Sequence, residues 1–461
     1  MSFSDLTFLF YFLPLFFAVY YLVPFRFKNA VLVLGSAVFY FLGAGTRDTL
    51  LLGVSVLFHY FLARAMDGKA VRTRKALLLL GLCVDLFGLV YFKYAAFLLE
   101  NLGKLTGTAF SLVELALPLG ISFYLFQSVG YLIDVSRGRP AEKSFVDFSA
   151  FVLAFPQLMM GPILRYDEWR GALKSRTIAR EDVFLGFERF LVGLCFKVLL
   201  ADQLAPLWAS LERIGYGYLS TPLAWLGAVS YSLQLYFDFS GYSLMAMGLG
   251  QMLGLPVPRN FDLPYLSRSV SEFYRRWHIT LGTWFRDYVY IPLGGSRRGK
   301  ARTALSLTVV WVFTGLWHGA SWNFVLWGVV LLCCILLEKF CIGGFLKKHA
   351  LLSHLYLLFV IPQTWVIFRI TKFSDIGAYF SRLFPFFGTH SAVSAQDALK
   401  LLSSYWWLLL LAVLFCLPQP RRFYEKHRGS LALDLPLFLL FWVCVYFIAT
   451  SSGNAFLYSR F

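Results

Sequence analysis

The chain has 461 residues, of which 59% are hydrophobic, 19% are aromatic and 15% are charged, and its formal net charge is +17. This charged fraction is well below the roughly 25% of soluble domains, which excludes a soluble globule and indicates a polytopic membrane protein. The basic residues collect in short loops between apolar runs, as in the cytoplasmic loops of membrane proteins. The positive charge is therefore no indication of nucleic-acid binding.

Apolar runs follow one another along the whole chain, and most are long enough for the roughly 20 residues that a membrane span needs. They cover residues 6–24, 30–45, 49–66, 76–99, 115–135, 145–163, 183–210, 222–254, 303–321, 323–343, 351–370, 396–417 and 432–452. Pro156 and the pair Gly161 and Pro162 break the run 145–163, and basic loops lie on both sides of it. That run is therefore expected to be a re-entrant hairpin, and the fold an all-α bundle of about 11–13 spans.

The distribution of basic residues predicts the orientation of these spans. Basic groups at Arg26 and Lys28, at 64–75 and at 137–143 alternate with the nearly neutral connections 43–48 and 100–114. The positive-inside rule places the basic groups in the cytoplasm, and both termini outside. The first run lacks a preceding basic segment, so it is expected to be a retained span rather than a cleaved signal peptide.

The apolar runs predict one membrane-embedded domain over 1–461. Its expected parts are N-terminal spans in 1–135, a catalytic core in 145–343 and C-terminal spans in 351–461. No internal repeat is visible, so an inverted-repeat transporter is not supported.

A polar stretch at 268–290 separates two of the apolar runs. Its spacing predicts one amphipathic helix at the cytoplasmic face, with charges on the other side. The apolar side is formed by Phe273, Trp277, Leu281 and Trp284.

The next run carries a histidine, His318, near its far end. An ionisable side chain at membrane depth is costly, so it suggests a functional site. In a continuous helix, one face would hold Trp311, Thr314, His318 and Trp322. Gly315 and Gly319 add a small-xxx-small spacing, which allows another helix or a substrate to approach closely. The alternative is an interior histidine that is bonded to a neighbouring carbonyl.

His278 is the second histidine of interest, and it could equally be an interfacial residue of the amphipathic helix. The other five of the seven histidines are assigned no role: His59, His349, His354, His390 and His427. The sequence contains no HxxH, no HExxH and no carboxylate cluster beside the pair. We therefore expect no metal site and no bound cofactor.

A basic group lies on the expected cytoplasmic side of the His318 run. One interpretation is that these residues contact anionic lipid. The other is a clamp for a polyanionic donor, because the guanidinium group matches phosphate geometry. The predicted donor-binding residues are Arg275, Arg276, Trp277, Arg297 and Arg298, with Lys300 and Arg302 nearby.

Two further charges, Lys93 and Asp238, lie inside apolar runs. They could pair with partners across the bundle or line a polar tunnel, and structural pairing is the favoured interpretation. The residues predicted to line a tunnel are Asp238, Ser240, Trp311, Trp317, Trp322 and Asn323.

Several stretches of the chain resemble the membrane-bound O-acyltransferase family and, within it, the bacterial alginate O-acetylase branch. The matching stretches are 121–134, 155–166, 236–242, 271–295, 314–328 and 454–458. The most specific are Arg-Arg-Trp-His278 and Gly-Leu-Trp-His318-Gly. The Tyr-Ile-Pro-Leu-Gly-Gly295 continuation is more similar to the polysaccharide acetylases than to the teichoic-acid D-alanyl transferases of the same family.

The resemblance implies acyl transfer from a cytoplasmic thioester to a hydroxyl that is reached from the outer side of a bacterial inner membrane. It matches His318 to the family's essential histidine and His278 to its second marked position. His318 suits the base role, because an attacking alcohol must lose its proton and imidazole titrates near neutral pH. His278 is expected to orient the thioester or to stabilise charge. A covalent acyl-histidine is a further alternative.

The donor, the partners and the exact function stay open at this point. Acetyl-CoA is the simplest co-substrate, and an acyl group on a carrier protein is the alternative donor. The expected partners are membrane lipid, a glycan acceptor and a secreted or membrane-anchored serine-esterase-like protein that relays acetyl. Competing functions are D-alanyl transfer to a cell-envelope polymer, a polar-tunnel transporter and a membrane scaffold.

Overall fold

A computed structural model of the chain describes residues 1–108, 110, 116–387, 394–451 and 456. Within these residues the secondary structure is helical, and the β structure is limited to one isolated antiparallel bridge between Phe261 and Trp277. The predicted all-α class is therefore confirmed. His390 and nearly all of the matching stretch 454–458 lie outside the described residues.

The chain divides into two compact units. The first comprises Met1–Phe190, Leu244–Pro258 and, of the described C-terminal residues, 448–451 and 456. Its helices are α1 (Leu13–Leu22), α2 (Phe25–Met66), α3 (Val71–Leu89), α4 (Ala95–Thr106), α5 (Ile121–Ser136), α6 (Phe145–Leu153), α7 (Phe155–Leu158) and α8 (Tyr166–Lys174). Three helices cross a boundary between the units: α9 (Arg180–Cys195), α11 (Thr221–Leu253) and α21 (Leu431–Thr450).

The second unit comprises Leu191–Ser243 and Arg259–Phe447. Its own helices are α10 (Asp202–Ile214), α12 (Val270–Arg276), α13 (Ile279–Phe285), α14 (Gly299–His318), α15 (Trp322–Leu337), α16 (Gly343–Lys348), α17 (Ala350–Arg369), α18 (Phe373–Leu383), α19 (Gln396–Phe415) and α20 (Pro418–His427). Short π-helical segments include Arg286–Tyr290 after α13 and Glu338–Ile342 after α15. All residues of the candidate site belong to this second unit.

Helical segments that suit a bilayer recur through the chain. Among the described residues, six segments are long and apolar enough to cross it: Phe25–Met66, Val71–Thr106, Trp322–Lys348, Ala350–Arg369, Gln396–Phe415 and Leu431–Thr450. The predicted runs 30–45 and 49–66 both fall in α2, which is interrupted at Gly45, where φ is 80°. A multi-pass membrane protein is confirmed, while the orientation of the termini stays a prediction.

The run 145–163 is broken, as its proline and glycine residues predict. Helix α6 ends at Leu153, and α7 lasts only four residues from Phe155. Ser36 Oγ accepts a hydrogen bond from the Phe155 amide, and the side-chain amide of Gln157 donates to the Phe151 carbonyl. These bonds satisfy polar groups of an irregular, buried segment, which membrane depth requires.

The packing of α14 on α15 depends on glycine. A Cβ atom at Gly315 would lie 2.5 Å from the carbonyl oxygen of Phe324, and one at Gly328 would lie 2.6 Å from that of Trp311. Both obstacles are backbone atoms, which cannot rotate away. Gly315 therefore serves a close helix–helix approach, the first of the two predicted uses of the small-xxx-small spacing, whereas Gly319 lies beyond the end of α14.

Candidate active site

The amphipathic segment 268–290 is not one helix, which corrects the sequence-based expectation. Helix α12 ends at Arg276, and α13 begins at Ile279. Between them His278 has φ 48° and ψ 53°, a left-handed conformation that is uncommon for residues other than glycine. The segment breaks because the backbone at 260–262 pairs with it: the Asp262 amide donates to the Arg276 carbonyl at 2.9 Å, and the Ile279 amide to the Asn260 carbonyl at 3.0 Å.

The start of α12 is held by a buried carboxylate. Glu338, in the π-helical turn after α15, accepts hydrogen bonds from the amides of Val270 and Ser271 and from the Ser271 hydroxyl. Ser269 Oγ adds an N-cap by accepting from the Glu272 amide at 3.0 Å. These bonds satisfy donors that a helix leaves without partners at its N-terminus, so they fix where α12 begins.

The His278 side chain is buried and bonded on one ring nitrogen. Its Nδ1 lies 3.2 Å from Asn260 Oδ1, and its ring meets that of Phe239 edge-on at 4.7 Å. Its Nε2 is also buried and has no hydrogen-bond partner among the described residues. Burial lowers the pKa of His278 from 6.5 to about 3, so the imidazole is neutral at physiological pH.

His318 is the last residue of α14 and lies among aromatic rings. Trp327 and Phe368 each meet it nearly edge-on, with ring centroids 5.0 Å away. Only 5% of His318 is exposed. The periodicity of α14 brings Trp311 and Thr314 to the same cavity as His318.

The two histidines line one cavity of about 1000 Å³. Its cationic lining residues are Arg268, Arg275, Arg286, Lys339 and Lys347, and its acidic ones are Glu272 and Glu338. Glu272 is already paired with Arg276 at 2.8 Å, and Glu338 is bonded to α12. The wall of the cavity therefore carries net positive charge.

The predicted donor-binding residues separate into two groups. Arg275 and Trp277 line the cavity together with the histidines. Arg276, Arg297 and Arg298 do not line it, and Arg276 instead pairs with Glu272 and donates to the Asp262 carbonyl.

Four cationic residues of the cavity wall were not predicted: Arg268, Arg286, Lys339 and Lys347. The two lysines follow the apolar part of α15, in the 323–343 run and in the basic group after it. Nothing in the sequence showed which loops share a cavity.

The predicted tunnel-lining tryptophans also differ in position. Trp311 lines the cavity, while the Trp317 ring lies 6.0 Å from that of His278 without being among the lining residues. Trp322 is 49% exposed and does not share the face of His318, which corrects the continuous-helix expectation. The reason is that α14 ends at His318 and α15 begins only at Trp322.

The remaining predicted tunnel residues do not line this cavity. Asp238 forms an ion pair with Lys197 at 2.8 Å, and both side chains are 1% exposed. This is the structural pairing that the sequence favoured for Asp238. Asn323 donates to the carbonyls of Ile367 and Phe368 and so joins α15 to α17, and Ser240 is buried in α11.

Comparison with known proteins identifies the class. Residues 75–373 match the model of the MBOAT, membrane-bound O-acyltransferase, family. The chain belongs to this family and is an O-acyltransferase. Family membership thus favours the enzyme over the transporter and scaffold alternatives.

Relatives named for three different activities are similar to the chain. A probable alginate O-acetylase of Azotobacter vinelandii is 40% identical over 400 residues, 84% of this chain and 78% of that protein. A peptidoglycan O-acetyltransferase of Helicobacter pylori is 30% identical over 526 aligned positions, covering 100% of this chain and 98% of that protein. A teichoic acid D-alanyltransferase of Streptococcus thermophilus is 32% identical over 229 residues, 46% of this chain and 54% of that protein.

Proposed function

We propose that the chain moves an acetyl group from a cytoplasmic thioester donor, acetyl-CoA, to hydroxyls of an extracytoplasmic polysaccharide. The observation that carries the proposal is that His278 and His318 line one cavity with a cationic wall. The similarity to acetylases over most of the chain supports acetyl as the acyl group and a glycan as the acceptor.

The cationic wall suits the phosphates of the donor. Arg268 and Arg275 offer planar guanidinium groups that match phosphate geometry, and Lys339 and Lys347 add compact charges. A carrier protein's phosphopantetheine presents one phosphate, whereas CoA presents three, so the number of cations favours CoA.

The chemical step needs a base and a leaving group. The hydroxyl oxygen attacks the thioester carbonyl carbon while its proton passes to His318, which we assign as the base. The carbon–sulfur bond then breaks, and the thiolate leaves and takes up a proton as the free thiol.

The decisive experiment measures transfer of labelled acetyl from acetyl-CoA to the glycan fraction in membranes that contain the protein. His318→Ala should lower the rate about 10²–10⁴-fold. The matched control is His427→Ala, because His427 lies in α20, outside the cavity lining. Transfer by His318→Ala at the wild-type rate would remove the basis of the proposal.

The same assay separates the alternative donors. Wild-type protein is supplied with acetyl-CoA, with an acetylated carrier protein or with a D-alanyl carrier protein. Label only from the last donor would replace acetyl transfer by D-alanyl transfer, the activity for which the Streptococcus relative is named.

The route to the glycan is tested with and without a serine-esterase-like partner. Transfer through such a partner predicts that label reaches the glycan only when the partner is present. Label on the glycan without any other protein would establish direct transfer instead.

The proposed location is a bacterial inner membrane with both termini outside. The basic loops support this orientation through the positive-inside rule. A reporter enzyme that is active only outside the cytoplasm, fused after the last residue, should be active, and an inactive reporter on stable protein would reverse the orientation.

A further inference from the structure

The buried amide of Asn260 gathers the polar groups around His278. Its Oδ1 lies 3.2 Å from His278 Nδ1, 3.2 Å from the Thr280 amide nitrogen and 3.0 Å from Thr280 Oγ1. Asn260 is 0% exposed. Its Nδ2 donates to Ser243 Oγ at 3.4 Å, so both ends of the side-chain amide have partners.

These partners fix which way the amide points. A backbone N–H can only donate, so the atom that faces the Thr280 amide must be the oxygen. The same oxygen faces His278 Nδ1. Because an amide oxygen accepts and cannot donate, Nδ1 must carry the hydrogen.

A neutral imidazole carries one hydrogen, so placing it on Nδ1 leaves Nε2 with a free lone pair. This nitrogen has no partner among the described residues, and His278 lines the cavity. An acceptor that is buried without a partner is costly, and a substrate donor would remove that cost.

We infer that Asn260 is a positioning residue that holds His278 as its Nδ1–H tautomer, with Nε2 as a hydrogen-bond acceptor for a substrate O–H or N–H. The inference rests on the proposed function for its catalytic meaning. It narrows the role of His278: a neutral ring with a bare Nε2 cannot donate a hydrogen bond to the thioester oxygen from that atom. His278 therefore accepts a hydrogen bond from the substrate group that carries a proton.

The backbone supports the same arrangement. A left-handed residue that is not glycine is strained and persists only where its surroundings determine it. Here the Asn260 carbonyl accepts from the Ile279 amide while its side chain accepts from Thr280 and His278. One residue thus secures both the backbone and the ring of His278.

The test that needs no substrate is nitrogen NMR on protein labelled in its histidine rings, with the His278 signals assigned by their loss in His278→Gln. Protonated and unprotonated ring nitrogens resonate far apart. Wild-type protein should show a protonated Nδ1 and an unprotonated Nε2. A protonated Nε2 in the wild type overturns the inference directly, whatever the variants do.

Three variants separate positioning from mere structure. Asn260→Leu removes the acceptor and should lose the Nδ1–H signature, while kcat for acetyl transfer falls at least about 10-fold. Asn260→Asp keeps an acceptor oxygen and should retain the signature. Thr280→Val removes a different hydrogen bond to the same Oδ1, and it should keep both the signature and most of kcat.

Each outcome has a distinct meaning. An unchanged tautomer in Asn260→Leu overturns the inference, as does an equal loss of kcat in Thr280→Val. If Asn260→Leu does not fold, the wild-type tautomer and Asn260→Asp still decide the matter. The expected tautomer in a protein that transfers no acetyl group would refute the proposed function and leave the positioning role intact.

Discussion

Replacing Gly315 by alanine tests whether the close approach of α14 and α15 sets the position of His318. The added Cβ would lie 2.5 Å from the Phe324 carbonyl oxygen, 0.9 Å below the 3.4 Å at which ordinary van der Waals contact begins. That oxygen belongs to the backbone of α15, so the helices must separate by a comparable distance. Overpacking of this kind costs about 1–3 kcal/mol of stability.

The same displacement should also lower the rate of acetyl transfer. His318 ends α14 while Trp327, which meets its ring at 5.0 Å, belongs to α15. A misplacement of about 1 Å can cost on the order of 10²-fold in rate. We therefore expect kcat for acetyl transfer to fall by about 10- to 100-fold in Gly315→Ala.

The control is Gly377→Ala, another helical glycine of the same unit. A Cβ there has nothing within 4 Å, so the substitution should be neutral or slightly stabilising, since alanine favours a helix by up to about 1 kcal/mol over glycine. Thermal midpoints and acetyl-transfer rates are measured for both variants. Wild-type midpoint and rate in Gly315→Ala would refute the packing argument.

Three further predictions concern charge. Lys197→Met leaves Asp238 buried without its ion pair and should destabilise the fold by about 3–5 kcal/mol, seen as a lower thermal midpoint; an unchanged midpoint contradicts this. Arg275→Ala should raise KM for acetyl-CoA about 10-fold or more, while Arg298→Ala, outside the cavity lining, should leave it unchanged; equal effects would contradict the assignment of the cationic wall. The lowered pKa of His278, about 3 against 6.5, means that its contribution to stability is full above pH 6.5 and is lost as pH falls toward 3. At pH 5 the wild type should lose about 2 kcal/mol relative to pH 8, and His278→Gln should not, as thermal midpoints at the two pH values would show.

The sequence could predict those structural features that recur along the chain or that depend on residues close together in the sequence. Apolar runs predicted the spans, Gly45 separates two of them within α2, and the period of a helix predicted that Trp311 and Thr314 accompany His318. The Glu272–Arg276 ion pair could also be predicted from the sequence, because residues four apart on a helix are neighbours. That pairing could have marked Arg276 as engaged elsewhere.

The error at Trp322 had a signal in the sequence. Gly319 and Ser321 stand at the end of the 303–321 run, and glycine ends helices while serine begins them. The continuous-helix interpretation extended the period across these residues and so placed Trp322 on the wrong face. The grouping of Arg268, Lys339 and Lys347 around one cavity had no such signal, since it depends on tertiary packing.

The break between α12 and α13 shows why His278 depends on residues distant in the sequence. In a continuous helix, the Ile279 amide would donate to the Arg275 carbonyl, and the Thr280 amide to that of Arg276. In the structure Asn260 accepts from both amides, with its carbonyl and its side chain, while the Arg276 carbonyl accepts from Asp262. The same amide side chain also faces His278 Nδ1. The backbone amides released by the break are thus satisfied by Asn260, the residue that orients the histidine. A substitution of Asn260 should therefore disturb both the ring and the backbone of His278. Only a measurement of the tautomer separates the effect on the ring from the effect on the backbone.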